Sequence, residues 1–251
     1  MASLDNRCAL ITGAGSGMGR SHALLFAERG ARVIVHDVNP DGVAETADGV
    51  RARGATVATI VQDIRDTSAF RAAIGAAEKQ IGPIEILVNN AGVSGRNLAF
   101  EDIDEETFDR MVAVHVKGTF FAVQTVIPGM KQRRYGRIVN ISSTFGVAGG
   151  ARASHYGGAK GALLGFTKSW AREYAAHNIT VNAVAPGFIL TPMTSASNGA
   201  PEKLARRITR IPIGRHGEPV DISYAVAWLA SDEAGFVTGQ VLSPNGGEYI
   251  T

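Results

Sequence analysis

The sequence predicts one α/β domain in which a mostly parallel sheet carries helices on both faces. Three observations lead there. Short apolar, β-branched runs alternate with helical patterns roughly every 25 residues in the first third of the chain, an order that calls for parallel strands joined by helical crossovers. A glycine-rich turn separates the first such run from the first helical pattern, where open sheets of this kind bind phosphates. Residues able to do chemistry recur just after the strands, at the carboxyl edge where such sheets hold their ligands.

Each element has its own signal. Cys8 to Ile11 is an apolar run followed by Thr12-Gly-Ala-Gly-Ser-Gly-Met-Gly19, then a helical pattern through Leu24 to Ala27 that stops at Gly30. In that setting Gly13, Ser16, Gly17, Met18 and Gly19 form a phosphate-binding turn, because glycines admit close backbone approach and a helix start offers free N–H groups. Ala31 to Val35 is a second strand ending at Asp37, placed to accept hydrogen bonds from an adenosine ribose. A carboxylate there repels a 2′-phosphate and Val38 supplies no compensating charge, so NAD(H) is expected over NADP(H). Asn39 caps a helix opened by Pro40 and ending near Gly54. Thr56 to Val61 is a third strand leading into Asp63 and Ile64, a helix closes near Gly82-Pro83, and Glu85 to Val88 runs into Asn89-Asn90-Ala91-Gly92.

Asp104 to Arg134 is one long apolar-periodic pattern that Pro128 is expected to kink or end. Arg137 to Ile141 is the fifth strand, with Ser142 and Ser143 at its end; a helix carrying Tyr156 and Lys160 follows. Ile179 to Val184 leads into Pro186-Gly187-Phe188-Ile189-Leu190-Thr191, and the pattern weakens from 188 to 212, which reads as a substrate lid. Val220 to Leu229 is a last helix and Gly239 to Leu242 a last strand. No linker-like stretch divides residues 1–251, so a single domain is expected.

Composition removes whole classes of function. A net charge of +2 is too small to imply a nucleic-acid partner. Charged or glycine residues punctuate every apolar stretch, so no membrane span is expected. The opening MASLDNRCALITG lacks the layout of a signal peptide, and Cys8, the single cysteine, permits no intrachain disulfide or thiolate metal site. No metal is expected, and a reducing cytoplasm is the simplest compartment.

Tyr156 and Lys160 stand four apart, hence on one helical face. A phenol titrates near 10, and a neighbouring ammonium stabilises its phenolate and makes it a better acid and base. The pair is weak evidence alone. Together with Thr12-Gly13-x-x-x-Gly17-x-Gly19, Asn89-Asn90-Ala91-Gly92, Ser143 thirteen positions before Tyr156, and Pro186-Gly187 with Thr191, the chain resembles the short-chain dehydrogenase/reductase family along essentially its whole length. The resemblance implies a doubly wound, seven-stranded Rossmann-like sheet, usually in a homotetramer. It implies that Asn90, Ala91 and Gly92 line the cofactor site, and that Asp63 and Ile64 hold adenine. Lys160 would bind the nicotinamide ribose, with Pro186, Gly187, Ile189 and Thr191 at the carboxamide. Tyr156 would move the alcohol proton while Ser143 donates to the substrate oxygen. At His115 the family usually carries an asparagine that kinks the helix and holds a relay water. His115 could preserve that relay or add a group titrating near 6.5.

The substrate walls are expected at Ser94 to Leu98, Thr144 to His155 and Phe188 to about Ser197. Their Phe145, Phe188, Leu190 and Met193 suit a small or medium apolar ketone or secondary alcohol. Arg152 and His155 could read an anion, although an exposed turn usually leaves such groups solvated. The run Lys203, Arg206, Arg207 and Arg210 reads as a solvated face. A 3-oxoacyl-carrier-protein or acyl-CoA ketoreductase is the alternative. Those carrier-protein enzymes usually present a basic pair, of which only Arg134 is matched, His177 standing at the other position. A non-catalytic dinucleotide-binding subunit is a third reading, which retention of Ser143, Tyr156 and Lys160 opposes.

Overall fold

The computed structural model describes residues 3–95, 97–198 and 201–250. Seven strands form one sheet: β1 (Cys8–Thr12), β2 (Arg32–Asp37), β3 (Val57–Val61), β4 (Ile86–Asn89), β5 (Gly136–Ile141), β6 (Ile179–Val184) and β7 (Val241–Leu242). Their order is β3-β2-β1-β4-β5-β6-β7, and every pairing is parallel. The helices are α1 (Gly17–Glu28), α2 (Pro40–Arg51), α3 (Thr67–Ile81), α4 (Glu105–Val112), α5 (Thr119–Arg133), α6 (Thr144–Ala148), α7 (Ser154–Tyr174), α8 (Pro192–Asn198), α9 (Pro201–Ile208) and α10 (Pro219–Leu229).

Strand alternation sends successive side chains to opposite faces, and the core divides accordingly. Ala9 and Ile11 of β1 join Val33, Val35, Ile86 and Val139 in a cluster with Phe26 of α1 and Val226 of α10. Cys8 and Leu10 join Ile34, Leu87 and Ile138 in a second cluster with Phe70 of α3, Val123 of α5 and Trp170 of α7. Burying both faces explains why the central strands are continuous apolar runs rather than alternating ones.

The order reverses between β1 and β4, since β2 lies on one side of β1 and β4 on the other. That switch point opens a crevice at the carboxyl edge, and the turns after β1 and β4 both end in it.

The long helical pattern departs from expectation in one respect. Pro128 neither ends nor interrupts α5, which runs on to Arg133. The irregularity falls earlier, at a wider π-helical turn over Ala113–Gly118 that joins α4 to α5. Pro128 forfeits one helical N–H bond, but buried Val126, Ile127 and Met130 hold α5 on the sheet through it. Glu105–Arg133 is long and apolar enough by composition to cross a membrane, which the punctuation of the sequence concealed; here half of its apolar window is packed inside the fold. The short α6 was not legible either.

Candidate active site

Gly13 (φ +64) and Gly17 (φ +54) bring the chain from β1 into α1 through left-handed backbone that side chains disfavour. A Cβ on Gly19 would run into the Gly13 carbonyl. Asn90 locks this turn from the end of β4, its amide donating to the Thr12 and Gly13 carbonyls at 2.9 and 3.0 Å. Thr12 returns the contact, its hydroxyl accepting from the N–H groups of Asn90 and Ala91 at 3.0 Å each. The α1 amino end makes no side-chain capping bond and has no acidic residue in its first turn, so its N–H groups and positive dipole end suit an anion. Met18 packs its side chain against the core, leaving its N–H as its contribution.

Asp37 closes the adjoining cleft, accepting from Gly15 N–H at 2.9 Å and Asn39 N–H at 3.0 Å. Gly13, Val38, Asp63, Ile64 and Gly92 line that cleft with it, around a volume of about 440 Å³. Asp63 is tied to the Arg65 guanidinium at 2.6 and 2.8 Å, which holds its carboxyl below the usual range. Arg65, Arg110 and Glu106 line the cleft as well, so its lining carries charge of both signs. A glycine turn without Cβ atoms, an unopposed helix start and a ribose-height carboxylate fit a nicotinamide dinucleotide. Such a group would supply the hydride donor or acceptor.

The catalytic side chains come from β5 and α7. Ser143 is buried at the end of β5 and accepts from Phe145 N–H at 3.2 Å, which leaves its hydroxyl proton to donate. Tyr156 opens into the same cavity as Ser143. Lys160 is buried one turn along, 5.8 Å from the Tyr156 ring centroid, donating to the Ile141 carbonyl at 2.7 Å. Ser142 faces away and donates to the Lys160 carbonyl at 2.8 Å, so it holds the lysine's helix to the strand.

The electrostatics correct one expectation. The Tyr156 phenol stands above its usual value, raised by burial, with the Ser143 hydrogen bond pulling the other way. Burial also pushes Lys160 down to about 7. Burial thus disfavours the phenolate in the protein alone, and Lys160 points at a carbonyl rather than at the phenol oxygen. What the pair provides is two neighbouring buried groups whose charges are both costly, on which a bound positive nicotinamide would have leverage.

His115 sits in the π-helical turn, buried and edge-on to Tyr156 with ring centroids 5.6 Å apart. Its Nε2 lies 3.1 Å from the Val93 nitrogen and 3.0 Å from the Val93 oxygen. Burial, then the Lys160 charge, pushes its pKa down to about 3. A titration near 6.5 at this position is thus removed: the ring is neutral across the working range and acts as a brace between α5, the Val93 loop and Tyr156.

A cavity of about 360 Å³ opens over Ser143 and Tyr156, walled by Gly95, Phe145, Arg152, Phe188, Met193 and Arg207 among others. Gly187 lines it as well, and Pro186 accepts from Thr144 N–H at 3.1 Å. Thr191 abuts Gly17, within 3.5 Å of where a Cβ would stand; Ile189 bridges to Gly217. The nicotinamide-end residues and the phosphate turn are thereby brought together. His155 is not in this cavity but in a neighbouring groove with Phe100 and Phe108. Arg96, Gly199, Ala200 and the side chain of Lys203 lie outside the described residues.

Two positions have roles the sequence does not assign. Thr12, which opens the glycine motif, is a hydrogen-bond hub, a role invisible without β4. Gly95, within the expected substrate wall, lies so close to Tyr156 that a Cβ would be 2.5 Å from the tyrosine's own.

The family model described as Enoyl-(Acyl carrier protein) reductase matches residues 13–248. The chain is 40% identical to the 3-oxoacyl-(acyl-carrier-protein) reductase FabG of Thermotoga maritima, over 98% of this chain and 99% of that one. It is 43% identical to the (2S)-((R)-hydroxy(phenyl)methyl)succinyl-CoA dehydrogenase subunit BbsD of Thauera aromatica, over 98% of each. Among solved structures, a levodione reductase superposes with a TM-score of 0.94 at 33% identity, covering 97% of this chain and 98% of that one.

Proposed function

From a chain that belongs to the short-chain dehydrogenase/reductase family, and is therefore a nicotinamide-dependent oxidoreductase, we propose an enzyme that interconverts 3-oxoacyl and 3-hydroxyacyl thioesters with NAD(H). The observation that carries this is the pair of near-full-length relatives whose names both describe oxidoreductases of acyl thioesters. It differs from the free ketone or alcohol that the residues alone suggest.

A nicotinamide dinucleotide held by the Gly13–Gly19 turn and Asp37 would supply hydride for the carbonyl carbon, and in the reducing direction Tyr156 gives its proton to the carbonyl oxygen. Ser143 donates to that oxygen as alkoxide charge develops. His115 and Gly95 hold the tyrosine ring, and Lys160, anchored on the Ile141 carbonyl, stands beside it. Asp37 supports NAD(H): its carboxylate lines the cleft, and Arg65 is committed to Asp63. Of the basic pair expected in carrier-protein reductases only Arg134 is present, His177 standing at the other position, which favours a CoA thioester over a carrier-bound one.

Steady-state assays with acetoacetyl-CoA, the matching carrier-protein thioester and a cyclic ketone, each with NADH and NADPH, test the reading. Preference for acetoacetyl-CoA with NADH is expected. In Asp37→Ser the NADH advantage should fall by about 100-fold, the loss of a charge-assisted bond and a repulsion together. Turnover of the ketone alone would return the function to a simple ketone reductase, the activity the levodione reductase name describes. We also propose a homotetramer, supported by exposed Phe100, Phe120, Phe236 and Ile250, in the cytoplasm, the compartment that a single buried cysteine suits; light scattering should give four times 26.3 kDa.

A further inference from the structure

The substrate cavity contains two guanidiniums and, among the described residues, no carboxylate in its lining. Arg152 comes from the loop before α7. Its own backbone is left-handed (φ +59), and its Nε donates to the Asn97 side chain at 3.0 Å. Arg207 comes from α9 and lies over the Phe188 ring, 5.2 Å from its centroid. Expected on a solvated face with Arg206 and Arg210, it is instead turned inward. Among the described residues its ion pair is with Glu248, long at 3.3 Å, and neither its buried Nε nor the buried Glu248 Oε2 has a hydrogen-bond partner.

A guanidinium lining a cleft is costly unless a negative group meets it, and Glu248 meets Arg207 only at 3.3 Å. Nothing in the proton or hydride transfer uses either arginine. Both nevertheless share a cavity of about 360 Å³ with Ser143 and Tyr156, so whatever they bind belongs to the same molecule as the reacting carbonyl. The flat fork of arginine matches a carboxylate with two parallel bonds, and the ring of Phe188 holds one such fork in place.

We propose that Arg152 and Arg207 recognise a carboxylate on the acyl portion of the substrate, making the enzyme selective for dicarboxylic 3-oxoacyl or 3-hydroxyacyl thioesters. This rests on the thioester reading. The phosphates of a CoA carrier are the competing source of negative charge, and a carrier without phosphate separates the two.

The test compares kcat/KM for two N-acetylcysteamine thioesters of a six-carbon 3-oxo acid, one ending in a carboxylate and the other in the carboxamide of the same shape. Wild-type enzyme should favour the carboxylate by about 10- to 100-fold, the worth of charge-assisted hydrogen bonds. That ratio should fall below about threefold in Arg207→Gln and in Arg152→Gln. It should hold or rise in Glu248→Gln, which releases Arg207. Using a ratio cancels any loss of folded enzyme. Equal turnover of the two thioesters by wild type overturns the inference and leaves the thioester reading standing. A ratio unchanged in Arg207→Gln, with Glu248→Gln lowering both rates alike, also overturns it, since that marks a lid latch. If neither thioester reacts but a thioester-free 3-oxo acid shows the same carboxylate preference, the arginine site stands and the thioester reading fails.

Discussion

At the amino ends of β1, β4 and β5 the chain buries a cation among partners; at the carboxyl ends it buries one almost alone. Arg137 is 3% exposed, donates to Asp232 at 3.1 Å and lies 4.3 Å from the Tyr135 ring centroid. Arg7 covers the same ring at 3.8 Å and bonds Glu85 at 2.7 Å, while the Tyr135 hydroxyl donates to Asp232 at 2.8 Å. Lys160, at 4% exposure, has a single backbone carbonyl and no carboxylate among the described residues. The paired cation serves the fold. The isolated one is pushed into the titrating range, at a cost in stability that only the reaction explains.

The strongest way to break this contrast is Lys160→Met. Activity should fall by at least about 100-fold, whereas stability at pH 7 should rise by about 1–4 kcal/mol, because an apolar chain replaces an unpaired buried ammonium. The sign follows from linkage. The lysine titrates at about 7 folded and 10.5 unfolded, so the unfolded chain binds more protons between those values. Wild-type stability should therefore climb from pH 7 towards 10.5, and the variant should lack that slope. Urea titrations across this range decide it; a less stable variant would show that Lys160 is a structural pillar.

Asp232→Ala probes the other end and should do the reverse. Arg137 would lose its carboxylate, at a cost of about 2 kcal/mol, less than for a fully buried pair because Asp232 is mostly exposed. Turnover should stay within about twofold. Burial works to raise the Asp232 carboxyl, but Tyr135 and Arg7 outweigh it and the net shift is downward. Its contribution is therefore present above the ordinary carboxylate range and lost as pH falls through the lowered value. A variant of unchanged urea midpoint would sink the pairing account.

This contrast was half visible in the sequence. The strands, the glycine turn, the Asn39 cap and the Ser143, Tyr156 and Lys160 spacing are local patterns, and local patterns survive in one dimension. The amino-end cluster joins Arg7 to Asp232 across 225 positions, and no periodicity announces it. The inward turn of Arg207 and the brace role of His115 depend on which way one helical face points. Pro128 shows the opposite failure: a strong local breaker was overruled by packing.

The smallest effect is expected at His115→Asn. With the imidazole pushed down to about 3, the pH–rate profile near neutrality should superimpose on wild type, while kcat changes a few-fold as the brace on Tyr156 loosens. A displaced neutral limb would restore a titrating role.

The central claim is that Tyr156 carries the proton beside a nicotinamide. Rapid-mixing measurement of NADH oxidation by Tyr156→Phe with acetoacetyl-CoA tests it most directly. NADH binding should persist within about threefold while the hydride step slows by about 1,000-fold or more. A variant that still oxidises NADH at a rate close to wild type would place the acid elsewhere and contradict the account.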